Sequence, residues 1–247
     1  MAEKKTTKKS KASGLRAPRG GKRLEAANKT LEEGKVYPLN EAVKLVKGNA
    51  KAKFDETIEV VFNLGVDPRH SDQIVRGVIA MPNGIGKKVR VAVFARDAKA
   101  EAAQKAGADV VGAEELVEEI KAGTINFDVC IATPDLMGLV GGVARILGPK
   151  GLMPNPKLGT VTDKVEAAIK NAKAGQVEYR TEKTGLVHAG VAKASFTEKA
   201  IEENILALFN AVKQAKPSGV KGTYMEKLTI SSTMGPGVQV DINSVAA

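Results

Sequence analysis

The sequence predicts a mixed α/β and α+β protein of two domains: a split β-α-β-β-α-β domain interrupted by an inserted, Rossmann-like three-layer α/β domain. Three observations predict it. Residues 57–66 alternate, with Ile58, Val60, Phe62 and Leu64 on one face and Glu59 and Asn63 on the other, the pattern of a half-buried strand. From IVRGVIAM onward, apolar strand runs alternate with helical runs, the grammar of a helix-flanked parallel sheet. With 67–158 removed, the remainder reads strand 57–66, helix 163–174, strands 176–180 and 186–192, helix 198–215 and strand 225–232. The expected division is a basic tail over 1–21, a discontinuous domain over 22–66 and 159–247, and an insert over 67–158. Two connections, near VDPR and GPKGLMPNPKLGT, would join them as a hinge.

Each element has a local reason. LEAANKTLEEG reads as a short helix stopped by Gly34, and Asn40 as the cap of a second helix, EAVKLVKG. After the alternating strand come VDPRHSDQ, strand IVRGVIAM, the turn PNGIG and the apolar strand KVRVAVFA. Helix DAKAEAAQKAG, a brief ADVVG, helix AEELVEEIKAG and strand FDVCIAT follow. Thr133-Pro134-Asp135 then opens a helix, LMGLVGGVARILG, that ends at Gly148. GPKGLMPNPKLGT breaks regular structure. Beyond it, Thr162 caps a helix stopped by Gly175, strand QVEYR turns through TEKTG into LVHAGVA, and Thr197 caps a long helix whose Ile201, Ile205, Leu208 and Val212 follow helical spacing. Strand MEKLTISS, the loop TMGPG and VQVDI close the chain.

Composition narrows the function classes. Of 247 residues 43% are hydrophobic but only 4% aromatic, with no Trp, so the core is aliphatic. The lone Cys130 reads as a small core residue and builds neither a disulfide framework nor a zinc site. Neither a membrane-length apolar run nor a secretory leader is read, which gives a cytoplasmic expectation and no membrane partner. The formal charge of +10 is concentrated: residues 1–30 hold 10 Lys/Arg against 2 Asp/Glu. Such a segment has too few apolar residues to fold alone, and it reads equally as a solubilising tail or as one drawn to polyanions.

Enzyme signatures are missing. GIGKK at 84–88 lacks the spacing and hydroxyl residue of a phosphate loop, and the glycines of 138–148 fall inside a helix rather than before one. His70 and His188 lie in different expected domains with no Cys or His at metal spacing. Asp55 and Glu56 read as a solvated acidic pair. A nucleotide-using α/β enzyme, with 67–158 as its ligand domain, is the alternative these absences weigh against. No catalytic residue, metal or cofactor is expected.

The loops of the split domain are more informative. In KAKFDET, Phe54 either caps the core or presents a ring to a ribose or base with Lys53 beside it on phosphate. Lys183-Thr184-Gly185 makes a turn, and His188 follows it. In TMGPG, Gly235 and Gly237 allow backbone approach, Thr233 offers a hydroxyl, and Met234 a flexible apolar cover.

Taken in order, KFDETIEV, LGVDPRHSDQIVRG, ATPDLMG, GVARILGPKGLMPNPKLGTV, KTGLVHA and TMGPG closely resemble the bacterial members of the ribosomal protein family of the mobile stalk beside the E site, the L-one family. The resemblance covers about residues 22–247; the Lys-rich extension before Gly21 is longer than the family usually carries. The resemblance implies two domains, the second inserted in the first. It implies a non-enzymatic constituent of the large subunit that binds large-subunit rRNA to form the stalk and moves with deacylated E-site tRNA as it leaves. It also implies repression of translation of the chain's own operon mRNA, neighbouring ribosomal components as partners, and a monomer off the ribosome. Carried over by position, its RNA contacts fall on Lys53, Phe54 and Thr57, on Thr233, Met234 and Gly235, and on the neighbourhood of Lys183, Thr184 and His188. On this reading Thr233→Val weakens rRNA binding and leaves thermal stability near unchanged, and KFDET and TMGPG meet at one edge.

Overall fold

The computed structural model of the chain describes residues 21–32 and 34–246. The expected basic tail therefore lies, but for Gly21, outside the described residues. Helices α1 (Lys22–Asn28) and α2 (Leu39–Asn49) lead into strand β1 (Thr57–Leu64) and strand β2 (Arg76–Ala80). An alternating set follows: β3 (Val91–Phe94), α3 (Asp97–Lys105), β4 (Val110–Gly112), α4 (Glu114–Lys121), β5 (Val129–Ala132), α5 (Met137–Gly141) and α6 (Ala144–Leu147). The chain ends with α7 (Val165–Lys173), β6 (Gln176–Arg180), β7 (Leu186–Lys193), α8 (Glu198–Gln214), β8 (Met225–Ser232), β9 (Val238–Val240) and α9 (Ile242–Ala246).

Among the described residues three sheets form: a four-stranded sheet of order β7-β1-β8-β9, a two-stranded ribbon β2-β6, and a three-stranded sheet β4-β3-β5. The first is antiparallel throughout and the last parallel, as the mixed reading requires. Period-two alternation buries Ile58, Val60, Phe62 and Leu64 of β1 beneath α2 and α8, where Phe62 and Phe209 rings lie 6.5 Å apart. Each such side chain contributes about 1.5–3 kcal/mol by leaving water. The other face of β1, with Glu59, Val61 and Asn63, stays open.

Two elements differ from the sequence reading. The helix over 163–174 and the strand over 176–180 were expected to join the sheet of the split domain. Instead α7 sets Val165, Ile169 and Ala172 against β3 and β5, and β6 pairs with β2. The physical reason lies in β3, whose four residues are all buried. A parallel sheet apolar on both faces needs a helical layer on each. Leu116, Ile120, Leu136, Val140 and Leu147 cover one face, and the alanines of α3 cover the other only with the help of α7. Val177 and Tyr179 of the ribbon, with Val75 and Met81 that flank β2, meanwhile belong to the core beneath the four-stranded sheet. Side-chain packing thus changes partner at 82–90 and 174–176, whereas the sequence reading drew its borders at 67 and 158.

The single helix expected after Thr133 is also broken, into a 3-10 turn at Pro134–Leu136 and the short α5 and α6, with the interruption at Gly142 and Val143. Paired glycines supply little helical preference there. Asn40 falls inside α2, which begins at Leu39 after Pro38. Thr197 does cap α8, accepting from the Ala200 N–H. Cys130 is core, and burial pushes its thiol pKa up to about 12. No helix among the described residues is long and apolar enough to cross a membrane.

Candidate nucleic-acid interface

The segment 52–57 sits between two loops and is bonded to both. On one side Asp55 accepts from the Ser195 N–H at 3.2 Å and the Ser195 hydroxyl at 2.8 Å, the Glu56 carbonyl accepts from the Ala194 N–H, and Lys193 Nζ donates to Thr57 Oγ1 at 2.8 Å. On the other side Thr57 N–H donates to Thr233 Oγ1 at 2.9 Å, and Thr233 N–H returns a bond to the Thr57 carbonyl at 3.0 Å. KFDET and TMGPG, far apart in sequence, are therefore clasped at one end of β1, as the sequence reading expected.

What this arrangement presents is apolar. Phe54 is 55% and Met234 52% exposed, two of the four large hydrophobic side chains exposed on the described surface. Phe54 thus does not cap the core. Lys53 beside it is exposed and makes no ion pair among the described residues. Exposed apolar side chains of this kind gain free energy when a partner surface covers them.

Gly235 answers to its own loop first. A Cβ there would stand 2.4 Å from Ser232 Oγ, so a larger residue would have to turn that buried hydroxyl aside, beneath the turn that Gly235 N–H closes on the Ser232 carbonyl. Thr233 is likewise engaged within the protein. Its hydroxyl accepts from Thr57 N–H and lies 3.3 Å from the Thr57 carbonyl, which leaves one lone pair for an outside donor such as a 2′-OH. Thr233→Val is accordingly expected to lower stability by about 1 kcal/mol, read as a reduced denaturant midpoint at unchanged slope. This corrects the expectation of unchanged stability, which treated the hydroxyl as unoccupied.

The remaining predicted residues lie elsewhere. In the β1–β7 register Thr57 faces Lys193 and Val61 faces His188, so His188 stands four residues along the open face, roughly 13 Å away. Lys183 and Thr184 occupy the turn past Leu186, at the opposite end of β1. There they line a cleft of about 900 Å³ with Arg76, Arg180, Glu178, Glu182 and the loop residues Gly151, Met153 and Asn155. Arg76 is paired to Glu178 at 2.8 Å, so the charges of this cleft partly cancel, and His188 Nε2 lies 3.9 Å from Glu182.

One residue here was misread from sequence. Glu56 is 1% exposed, not a solvated acid. Its Oε1 accepts from Ala52 N–H at 2.8 Å and its Oε2 from Met234 N–H at 3.0 Å. The alternation itself carried the signal: Glu56 has the same parity as the inward Ile58 and Val60. Burial pushes its carboxyl pKa up, but the Ala52 N–H, the adjacent Ser232 hydroxyl, the Met234 N–H and the field of Arg23 together outweigh it and hold it below the ordinary range. The buried Ser232 hydroxyl makes no bond of good geometry among the described residues, yet lies close enough to help hold that charge. Because the folded pKa is the lower one, Glu56 stabilises the fold fully above the unfolded carboxyl value of about 4.3 and less as pH falls through the depressed folded value. A Glu56→Gln chain is expected to show a shallower loss of stability on acidification, measured by denaturation between pH 6 and pH 3.

No cluster of three or more His, Cys, Asp or Glu that could hold a metal ion occurs among the described residues. A model of the family described as "Ribosomal protein L1p/L10e family" matches residues 46–236, about three quarters of the chain. The chain belongs to this family. The match takes in both halves of the clasp, KFDET and TMG, together with the parallel sheet between them. Membership in this ribosomal family carries a structural role in the large subunit with rRNA binding, and places the chain at the ribosome. It is a family of structural proteins and not of enzymes.

Proposed function

We propose that the chain grips a folded element of large-subunit rRNA with the platform built from Lys53, Phe54, Thr57, Thr233, Met234 and Gly235, with Lys183, Thr184 and His188 as a second patch further along the open sheet. One observation carries this reading: the exposed Phe54 and Met234 stand on two segments clasped by the Thr57–Thr233 bonds. The platform has a single lysine and two apolar covers, so affinity rests on shape and stacking more than on bulk charge. Outside residues 1–30 the chain is almost neutral, with 28 Lys/Arg against 26 Asp/Glu, which favours the same conclusion.

The rRNA so held forms the mobile stalk, which assists release of deacylated tRNA from the E site. The same platform takes a similar fold in the chain's own operon mRNA and represses its translation in the cytoplasm. The chain works as two domains, one around the four-stranded sheet and one around the parallel sheet. They pivot where packing changes partner. Gly84 (φ +67°), Gly86 (φ +73°) and Gly175 (φ +94°) occupy those crossings, and a Cβ on Gly175 would lie 2.8 Å from Gly84 Cα. Off the ribosome the chain is a monomer, and residues 1–21 add a salt-sensitive contact to phosphate.

Footprinting the purified chain on large-subunit rRNA tests the proposal. Protection confined to one folded element, lost in competition with the operon mRNA, is the expected result. Uniform weak protection, equal to that on random duplex, overturns it.

A further inference from the structure

We infer that Glu56 is a positioning residue of this platform: its two carboxylate oxygens fix Phe54 and Met234 relative to each other, and it does so from beneath, without touching RNA. The inference rests on the proposed RNA-binding reading and goes beyond it. The segment carrying Lys53 and Phe54 belongs to no strand; the Asp55–Ser195 and Glu56–Ala194 bonds hold its far end toward β7, and only Glu56 bonds it near Phe54 to the methionine loop. Ala52 N–H, at the start of that segment, is bonded to Glu56 Oε1, which closes a loop of residues 52–56 around the phenylalanine. Oε2 holds the Met234 N–H, the one backbone donor of the methionine. A single planar group thus spans both halves of the surface. The Thr57–Thr233 bonds join the same segments one residue further in, but they set strand register and leave the approach of Phe54 undetermined.

The carboxylate chemistry is specific. Two N–H donors converge on two acceptors, and only an ionised acid offers acceptors on both oxygens. An amide keeps one acceptor and turns a donor toward the other N–H. The charged and titratable groups around the site are Arg23 from α1, Asp55 on the same segment and Lys193 from the end of β7. Asp55 is occupied by Ser195 and cannot substitute for Glu56.

The test uses the full chain and a folded fragment of large-subunit rRNA. Glu56→Gln is expected to weaken binding at least 10-fold. Ile201→Val, a buried change in the same core but on α8, serves as the stability control and should bind within 2-fold of the parent. In the unbound parent chain, the Ala52 and Met234 amide protons should titrate together, with one midpoint, in NMR spectra recorded against pH; in Glu56→Gln neither should. Glu56→Gln binding as tightly as the parent overturns the inference, as does a loss no larger than that of an equally destabilised control. Amides that titrate with different midpoints also overturn it. Failure of the parent chain itself to bind the fragment is a different result, and sinks the RNA-binding reading on which the inference stands.

Discussion

Replacing Phe54 and Met234 together by alanine is expected to weaken binding to the rRNA fragment by about 100-fold while leaving the melting temperature nearly unchanged. The two halves of this expectation have separate grounds. Both side chains are more than half exposed, so truncation removes little buried area, and substitutions of that kind usually fall within about 0.5 kcal/mol. Stacking of one aromatic on a base is worth roughly 1–3 kcal/mol by alanine substitution, and the methionine adds a smaller apolar contact. Phe54→Ala should therefore cost more than Met234→Ala. Phe54→Tyr keeps the flat face and should bind almost normally, whereas Phe54→Leu keeps apolar area without the face and should fall between. Since neither residue is charged, the slope of affinity against salt should not change. Lys53→Ala should reduce that slope by about one ion. Equilibrium binding at several salt concentrations measures all of these, and a double variant within 2-fold of the parent would show that the clasped surface is not the grip.

Much of this surface was legible in the sequence, and the reasons for the gaps are physical. Strand alternation placed Ile58 to Leu64 correctly because one face of the sheet is buried and the other is wet, which is the situation that writes a period of two into a chain. The meeting of KFDET with TMGPG came from the family resemblance, and the structure supplies its cause, since β1 and β8 are neighbours. Exposure of Phe54 did not follow: an aromatic at a strand entrance reads the same whether it turns in or out. Burial of Glu56 runs against its residue type, because acids are seldom buried, although its parity points inward. The position of α7 was hidden for a deeper reason. Its amphipathic pattern says that one face is buried but not against which sheet, and the need for a second layer on β3 appears only when the parallel sheet is assembled. The hydroxyl of Thr233 was assigned outward because its partner, a backbone N–H 176 residues away, has no signature in local sequence.

The largest loss of stability is expected at Asn204, in the middle of α8. It is fully buried and makes three of the four hydrogen bonds its amide can make: Oδ1 accepts from the Asn83 N–H at 3.2 Å, and Nδ2 donates to the carbonyls of Gly84 at 2.9 Å and Val191 at 2.8 Å. The amide thereby ties α8 to β7 beneath it and to the PNGIG loop, the outgoing crossing toward the parallel sheet. Asn204→Leu keeps the branched heavy-atom skeleton, with bulkier methyl ends, and leaves three backbone groups without partners. At about 1–3 kcal/mol for each buried group left unsatisfied, and with the Asn83 and Gly84 contacts only partly buried and so near the low end, the expected loss is about 4 kcal/mol. For a chain of this size that is a melting temperature lower by roughly 10 °C. Asn204→Asp discriminates the cause. It keeps the acceptor for Asn83 N–H but turns a negative oxygen toward two carbonyls, so it should be less stable than the leucine variant at neutral pH and recover in part on acidification, when the acid can donate once. A leucine variant within about 1 kcal/mol of the parent would mean that the loop finds other partners, and that the crossing at Gly84 is not pinned to α8 as its hydrogen bonds indicate.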